Sequence, residues 1–245
     1  MQTGNQLISR LFGQWNRLPV SIQSEMDSVR SSRIVFYLGV VISLIHLWFN
    51  SLGNVDSQAQ NIIHFAGFSV LCGLVYPLAK EGVGRWLDMG FVLLVAVCAL
   101  YLIWADDLIY ERGVKLIPLD WAAGIVVILG AIEFTRRATG WIIPFLIVLA
   151  LSYITWLGPM VPGVFKFGGL SYETVMFRSL FGDDALFGSI ARISATFVFI
   201  FIIFGAFLLR SGAGDFVIHL SQAVAGRMIG GPGIVAVIGS GLTGT

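Results

Sequence analysis

The chain has 245 residues, of which 57% are hydrophobic and only 12% are charged. Soluble domains carry about 25% charged residues, so this chain cannot cover itself with a polar surface, and most of its solvent must be lipid. The formal net charge of +1 gives no electrostatic basis for binding nucleic acid. The composition therefore predicts an all-α polytopic membrane protein in a lipid bilayer, in which each helix satisfies its own backbone hydrogen bonds.

Six apolar runs approach the roughly 20 residues that a membrane-spanning helix needs. They cover residues 34–49, 62–79, 87–104, 119–134, 141–157 and 193–209. A seventh run, residues 232–242, has only about half of that length. The polar segment 1–33 precedes the first run without a cleavable leader pattern, so we expect the first helix to remain in the membrane as a signal anchor.

The distribution of Lys and Arg predicts a cytoplasmic N-terminus, because basic residues concentrate on the cytoplasmic side of membrane proteins. With that orientation, the basic residues that fall on inner segments are Arg10, Arg17, Arg30, Arg33, Lys80, Arg85, Arg136, Arg137, Arg210 and Arg227. The outer segments carry fewer. Six spans return the chain to the cytoplasm at Arg210, and the short seventh run would then enter the bilayer from inside.

Three connecting segments have distinctive patterns. Residues 170–181 place apolar side chains at helical spacing and predict an amphipathic helix at the outer interface, and residues 215–228 predict another on the inner side. Residues 106–112 have mixed charge, with Asp106, Asp107, Glu111 and Arg112. We interpret them as a solvated outer loop, or as a docking surface for a partner.

The seventh run is the candidate site for an ion and a substrate. Gly230 and Gly231 end the preceding helix, and Pro232 suits the first turn of a new one. Further on, Gly239, Gly241 and Gly244 would allow the helix to unwind, while Ser240, Thr243 and Thr245 would supply hydroxyl oxygens. The alternative is a helix-packing surface in which small residues let two helices approach closely.

Two histidines and one glutamate allow other chemistry. His46 and His64 lie near the outer ends of the first and second spans, where they could ligate haem or a metal in a membrane redox subunit. The alternative is a pair of hydrogen-bonded structural histidines. Glu133 has Arg136 and Arg137 three and four residues on, which favours an interfacial ion pair over a proton relay.

Motifs for enzymatic catalysis are not evident in the sequence. It contains no nucleophile elbow, no zinc-protease helix motif and no phosphate-binding loop for ATP. The sequence therefore favours a protein that is not an enzyme and holds no organic cofactor.

A set of motifs in the second half resembles the large membrane subunit of tripartite ATP-independent periplasmic (TRAP) transporters. These motifs are residues 204–215, 225–227, 230–232 and 240–245. The first four spans are similar to the small membrane subunit. The loop from Arg112 to Asp120 resembles one in fused permeases that join both subunits and often work with TAXI-type binding proteins.

The resemblance implies a secondary transporter in the inner membrane of a bacterium or archaeon. Such a permease imports a small organic acid that an extracytoplasmic binding protein delivers. A sodium or proton gradient drives the symport through an elevator movement of the hairpin-bearing domain. The site residues would be Gly239, Ser240, Gly241, Thr243, Gly244 and Thr245, as half of a cation and substrate site in a re-entrant helical hairpin.

The same resemblance implies three regions. Residues 1–33 would be a cytoplasmic segment, 34–137 a four-helix scaffold like the small subunit, and 138–245 the N-terminal part of the large transport subunit. The serine-rich hairpin tip and the later helices of the family would follow Thr245. We therefore expect this chain to be the N-terminal portion of a fused permease, which by itself would not transport.

Overall fold

The computed structural model describes residues 33–79, 81–225 and 230–243, and all regular structure within these ranges is helical. This confirms the predicted all-α class. The predicted cytoplasmic segment 1–33 lies outside the described residues except for Arg33. Lys80 and Arg227, which contribute to the predicted orientation, also lie outside them.

The described residues form ten α-helices and four short π or 3-10 turns. The helices are α1 (Arg33–Ser51), α2 (Ser57–Val75), α3 (Gly82–Glu111), α4 (Pro118–Thr139), α5 (Ile142–Ser152), α6 (Tyr172–Leu180), α7 (Ser189–Ile193), α8 (Phe199–Ser211), α9 (Ala213–Ala225) and α10 (Gly231–Thr243). The π turns are Tyr153–Leu157 and Ser194–Val198, and the 3-10 turns are Gly158–Met160 and Gly163–Phe165.

Five helical stretches in the described ranges are long and apolar enough to cross a membrane. They are Arg33–Ser51, Gly82–Glu111, Pro118–Thr139, Ile142–Met160 and Ser189–Leu208. They coincide with the first and the third to sixth predicted spans. The second predicted span is α2, which starts earlier than predicted and is more polar, because its first two turns include Gln58, Gln60 and Asn61. Length and composition thus support a multi-pass membrane protein.

Local capping chemistry fixes several helix ends. The Asp56 carboxylate accepts hydrogen bonds from the backbone N–H groups of Gln58 and Ala59, at 2.8 and 3.3 Å, where α2 begins. Pro118 opens α4, and Asp120 accepts the backbone N–H of Ile117 at 3.0 Å. At the other end of α4, Gly140 has a φ of 86°, a conformation that favours glycine and ends the helix.

The described residues pack as two compact units, one ending at Thr196 and the other beginning at Phe197. The boundary between residues 137 and 138 in the sequence analysis refers to the two subunits of the resembling family, and it stays a prediction. In the first unit, α2, α3 and α4 enclose a core whose fully buried members include Ile62, Leu102 and Val127.

Helix α6 confirms the helix predicted within residues 170–181. Its apolar residues are buried: Met176 is 8% exposed and Leu180 only 1%. A Cβ atom at Gly124 of α4 would lie 2.8 Å from the Met176 sulfur, so α6 packs closely on the bundle. The prediction that this helix lies at the outer membrane interface is therefore wrong for its apolar face, which packs into the core of the first unit.

The acidic segment after Trp104 was predicted to be a loop, and that prediction is wrong. Helix α3 continues through Asp106 and Asp107 and ends only at Glu111. Charged residues are compatible with a helix, so the end of an apolar run does not mark the end of the helix. The predicted ion pair of Glu133 is confirmed, since its carboxylate binds Arg136 at 2.7 Å and Arg137 at 2.9 Å.

Candidate functional site

The candidate site lies in the second unit, where three helices follow one another with glycine at the breaks. Helix α8 ends at Ser211, and Gly212 has the left-handed backbone conformation with a φ of 76°. Helix α10 begins at Gly231, directly after Gly230, whose φ is 81°. Pro232 is the second residue of α10, which confirms its predicted place in the first turn of a new helix.

Helices α9 and α10 pack side by side. Ser221 of α9 is 1% exposed, and a Cβ atom built at Gly239 of α10 would lie 3.9 Å from its Oγ atom. The Ser221 hydroxyl donates to the carbonyl of Val217 at 2.8 Å, so it points along its own helix. Ser221 and Gly239 are equally far from Gly230 along the chain, as expected for an antiparallel helical hairpin.

The described part of α10 is shorter than a membrane-spanning helix. Its 13 residues extend about 20 Å at 1.5 Å per residue, against a hydrocarbon core of about 30 Å. The re-entrant course of this segment stays a prediction.

The predicted unwinding at Gly239 and Gly241 is wrong, because α10 continues through both glycines to Thr243. Glycine costs about 1 kcal/mol relative to alanine in a helix, which is less than the several kcal/mol for each backbone group left unsatisfied in lipid. Gly239, Ser240, Gly241 and Thr243 therefore all lie within the described part of α10. Gly244 and Thr245 lie outside the described residues.

The two histidines contact each other directly. His46 is buried, and its Nε2 atom lies 2.8 Å from Nδ1 of His64. The other ring nitrogen of His46 lies 2.8 Å from the carbonyl of Ile42, and His64 Nε2 lies 3.1 Å from the Ser194 hydroxyl. Because the Ile42 carbonyl can only accept, His46 must donate to it. If both rings are neutral, His64 then donates to His46, and the Ser194 hydroxyl donates to His64.

This geometry favours structural histidines over the redox alternative. Two histidine nitrogens on one tetrahedral metal, at about 2.0–2.1 Å each, stand about 3.3 Å apart, which exceeds the 2.8 Å seen between His46 and His64. Within the described ranges, no group of three or more His, Cys, Asp or Glu side chains is placed to hold a metal ion. The contact links α1, α2 and the π turn at Ser194.

Replacing His64 by Leu is expected to lower the free energy of unfolding by about 1–3 kcal/mol, because the buried His46 ring loses the hydrogen bond that it accepts from His64. Urea unfolding in detergent micelles measures the loss, and Ser194→Ala, which removes only the outer bond, should cost less. A Soret band after haem addition that disappears in His64→Leu would contradict the structural role.

Together, the apolar helices of spanning length describe a polytopic membrane protein. Residues 126–245 match the family model described as "Tripartite ATP-independent periplasmic transporter, DctM component". This region is that of a TRAP transporter permease component, which confirms the predicted resemblance. No curated protein and no solved structure gives a significant match to the chain.

Proposed function

We propose that the protein is the permease component of a secondary transporter that imports a small organic acid, such as a carboxylate. An extracytoplasmic binding protein of the TAXI type delivers the substrate, and a sodium or proton gradient drives the symport. The family match over residues 126–245 carries this proposal. The permease lies in the inner membrane of a bacterium or archaeon with its N-terminus in the cytoplasm, as the basic residues predict.

The proposed coupling site is the C-terminal end of α10. A helix C-terminus carries partial negative charge, and transporters use such ends in the membrane to hold cations. Thr243 lies on the last described turn of α10, and Gly239, Ser240 and Gly241 lie shortly before it. The full set in the proposal also includes Gly244 and Thr245, which lie outside the described residues.

The packing of α9 against α10 supports a moving hairpin. Ser221 and Gly239 bring the two helices close without bulky side chains between them, so the pair can move as one rigid element. An elevator movement of this element would carry the end of α10, with its bound cation and substrate, between the two sides of the membrane.

An uptake assay tests the proposal. The permease, produced at native length from its own gene, is reconstituted in proteoliposomes with its binding protein and a panel of labelled carboxylates. We expect uptake of at least one carboxylate that requires both the binding protein and an inward gradient of sodium or protons. Uptake without either requirement, or no uptake of any carboxylate, would contradict the proposal.

Valine at both Thr243 and Thr245 should raise the cation concentration for half-maximal uptake by at least about tenfold. Each change removes a hydroxyl that can bind a charged ligand. The matched control is Thr135→Val, because the Thr135 hydroxyl donates to the carbonyl of Ala131 within α4 at 2.7 Å. Unchanged cation dependence in the double variant would reject the site and leave the permease assignment intact.

A further inference from the structure

The first unit contains an acidic cavity of about 480 Å³ that the proposed transport site does not use. It lies where α2 begins and α3 ends, and the connection between α6 and α7, with the start of α7, contributes the rest of its lining. Four carboxylates line it, from Asp56, Asp106, Asp107 and Asp183, together with one guanidinium, from Arg192. The lining therefore has a strong excess of negative charge.

Asn61 points to a ligand in this cavity. It is 3% exposed, and its Nδ2 atom donates to the carbonyls of Phe187 at 2.7 Å and Gly188 at 3.2 Å. These two acceptors fix the orientation of the amide, because a flipped amide would bring its oxygen against two carbonyl oxygens. Its Oδ1 atom, in a residue that lines the cavity, is buried and has no hydrogen-bond partner among the described residues.

Asp106 provides a second acceptor of the same kind. Its Oδ1 atom is also buried without a hydrogen-bond partner among the described residues, and the residue lines the same cavity. A buried acceptor left unpaired costs about 1–3 kcal/mol, and more when it is charged. Two such oxygens in one acidic cavity favour an occupant that brings both positive charge and hydrogen-bond donors.

The size of the cavity, and the absence of a three-ligand cluster among the described residues, separate two kinds of cation. A bare metal ion needs several oxygens converging on one point, and the described residues contain no group of three acidic or histidine side chains so arranged. The cavity is also many times larger than a water molecule, which occupies about 30 Å³. A guanidinium or an ammonium group meets the conditions of charge, donors and size.

We propose that this cavity binds a guanidinium or primary ammonium group, whose N–H groups donate to Asn61 Oδ1 and Asp106 Oδ1. The surrounding carboxylates of Asp56, Asp107 and Asp183 add attraction at longer range. The group belongs either to a free small cation or to a Lys or Arg side chain of a protein that docks here. The site stands on the geometry of the first unit and does not depend on transport.

The test is calorimetric titration of the full 245-residue chain in detergent micelles with methylguanidinium chloride. We expect saturable binding in the micromolar to low millimolar range, and no binding of the neutral isostere N-methylurea. Asp106→Asn should weaken binding at least about tenfold, since it removes the charge of a buried acceptor. Thermal unfolding of each variant verifies that it is folded.

Two neighbouring aspartates provide a matched pair of variants that still tests the proposal if Asp106→Asn fails to fold. Asp183→Asn, which alters a lining residue, should weaken binding about threefold, whereas Asp184→Asn, outside the lining, should leave it unchanged. A blocked arginine tripeptide that binds more tightly than methylguanidinium assigns the cavity to a docking protein, and weaker binding assigns it to a free cation.

Three results would overturn the proposal: no saturable binding up to about 10 mM, equal binding of N-methylurea, or displacement by equimolar sodium at constant ionic strength.

Discussion

Replacing Asp88 by Asn is expected to lower the free energy of unfolding by about 3–5 kcal/mol, the largest effect among these predictions. Asp88 of α3 is 4% exposed and its carboxylate lies 2.7 Å from the guanidinium of Arg137 in α4. Arg85 lies 3.6 Å away, and the backbone N–H of Leu78 donates to the same carboxylate at 3.0 Å. One side chain thus connects three parts of the bundle.

The physical reason is the charge that the substitution leaves behind. The Arg137 side chain is only 3% exposed, and after the change Glu133 alone would balance it, although Glu133 also binds Arg136. An asparagine has nearly the same shape, so the loss reports electrostatics rather than packing. Removing one partner of a buried pair is costly because the remaining charge cannot regain water.

Urea unfolding in detergent micelles measures this effect, with Glu81→Gln as the control. Glu81 is an exposed carboxylate at the same end of α3, and its change should stay within about 0.5 kcal/mol. The combined change of Asp88→Leu and Arg137→Leu should recover most of the loss, because neither charge is then left unpaired. A loss below about 1 kcal/mol in Asp88→Asn would show that the ion pair is not important for stability.

Replacing Gly130 by Ala is expected to cost about 1–3 kcal/mol, although alanine is the better helix former. A Cβ atom at Gly130 of α4 would lie 2.5 and 2.6 Å from the two methyl groups of Val95 in α3. Val95 is fully buried and its branched side chain has few alternative rotamers, so the helices must separate. Gly73 of α2 stands in the same relation to Val92, at 2.4 Å.

The matched control is Gly90→Ala in α3. A Cβ atom at Gly90 would meet nothing within 4 Å, so this change should be neutral or stabilise by about 0.5–1 kcal/mol. Adding Val95→Ala to Gly130→Ala should restore space and recover part of the loss. If Gly130→Ala and Gly90→Ala behave alike, the two helices are not in close contact at Gly130.

Much of the helical framework could be predicted from the sequence. Long apolar runs have few alternatives to a helix in lipid, so five spans were located correctly, although the third continues to Glu111 instead of ending near Trp104. Pro232 and the preceding glycines marked the start of α10 for a local steric reason. The helix within residues 170–181 also followed from spacing, because apolar periodicity is a property of the segment itself.

The errors share one cause, which is that local composition does not record the neighbouring helices. The segment at Asp106 was interpreted as a loop because of its charges, whereas the structure continues α3 and turns Asp106 toward a cavity. Gly239 and Gly241 were interpreted as a break, but packing beside Ser221 is compatible with a continuous helix. Propensities of about 1 kcal/mol per glycine are too small to decide such cases.

The sequence by itself determined that this protein is a membrane protein and where most of its helices lie. It also determined that the second half resembles a TRAP permease. These properties depend on composition and on the local order of residues. Only the tertiary structure decided which polar groups meet. Asn61 binds the carbonyl of Phe187, which is 126 residues away, and His64 meets Ser194 across 130 residues. Such contacts depend on how the helices pack, because side-chain packing and buried hydrogen bonds between distant segments select one arrangement of the bundle.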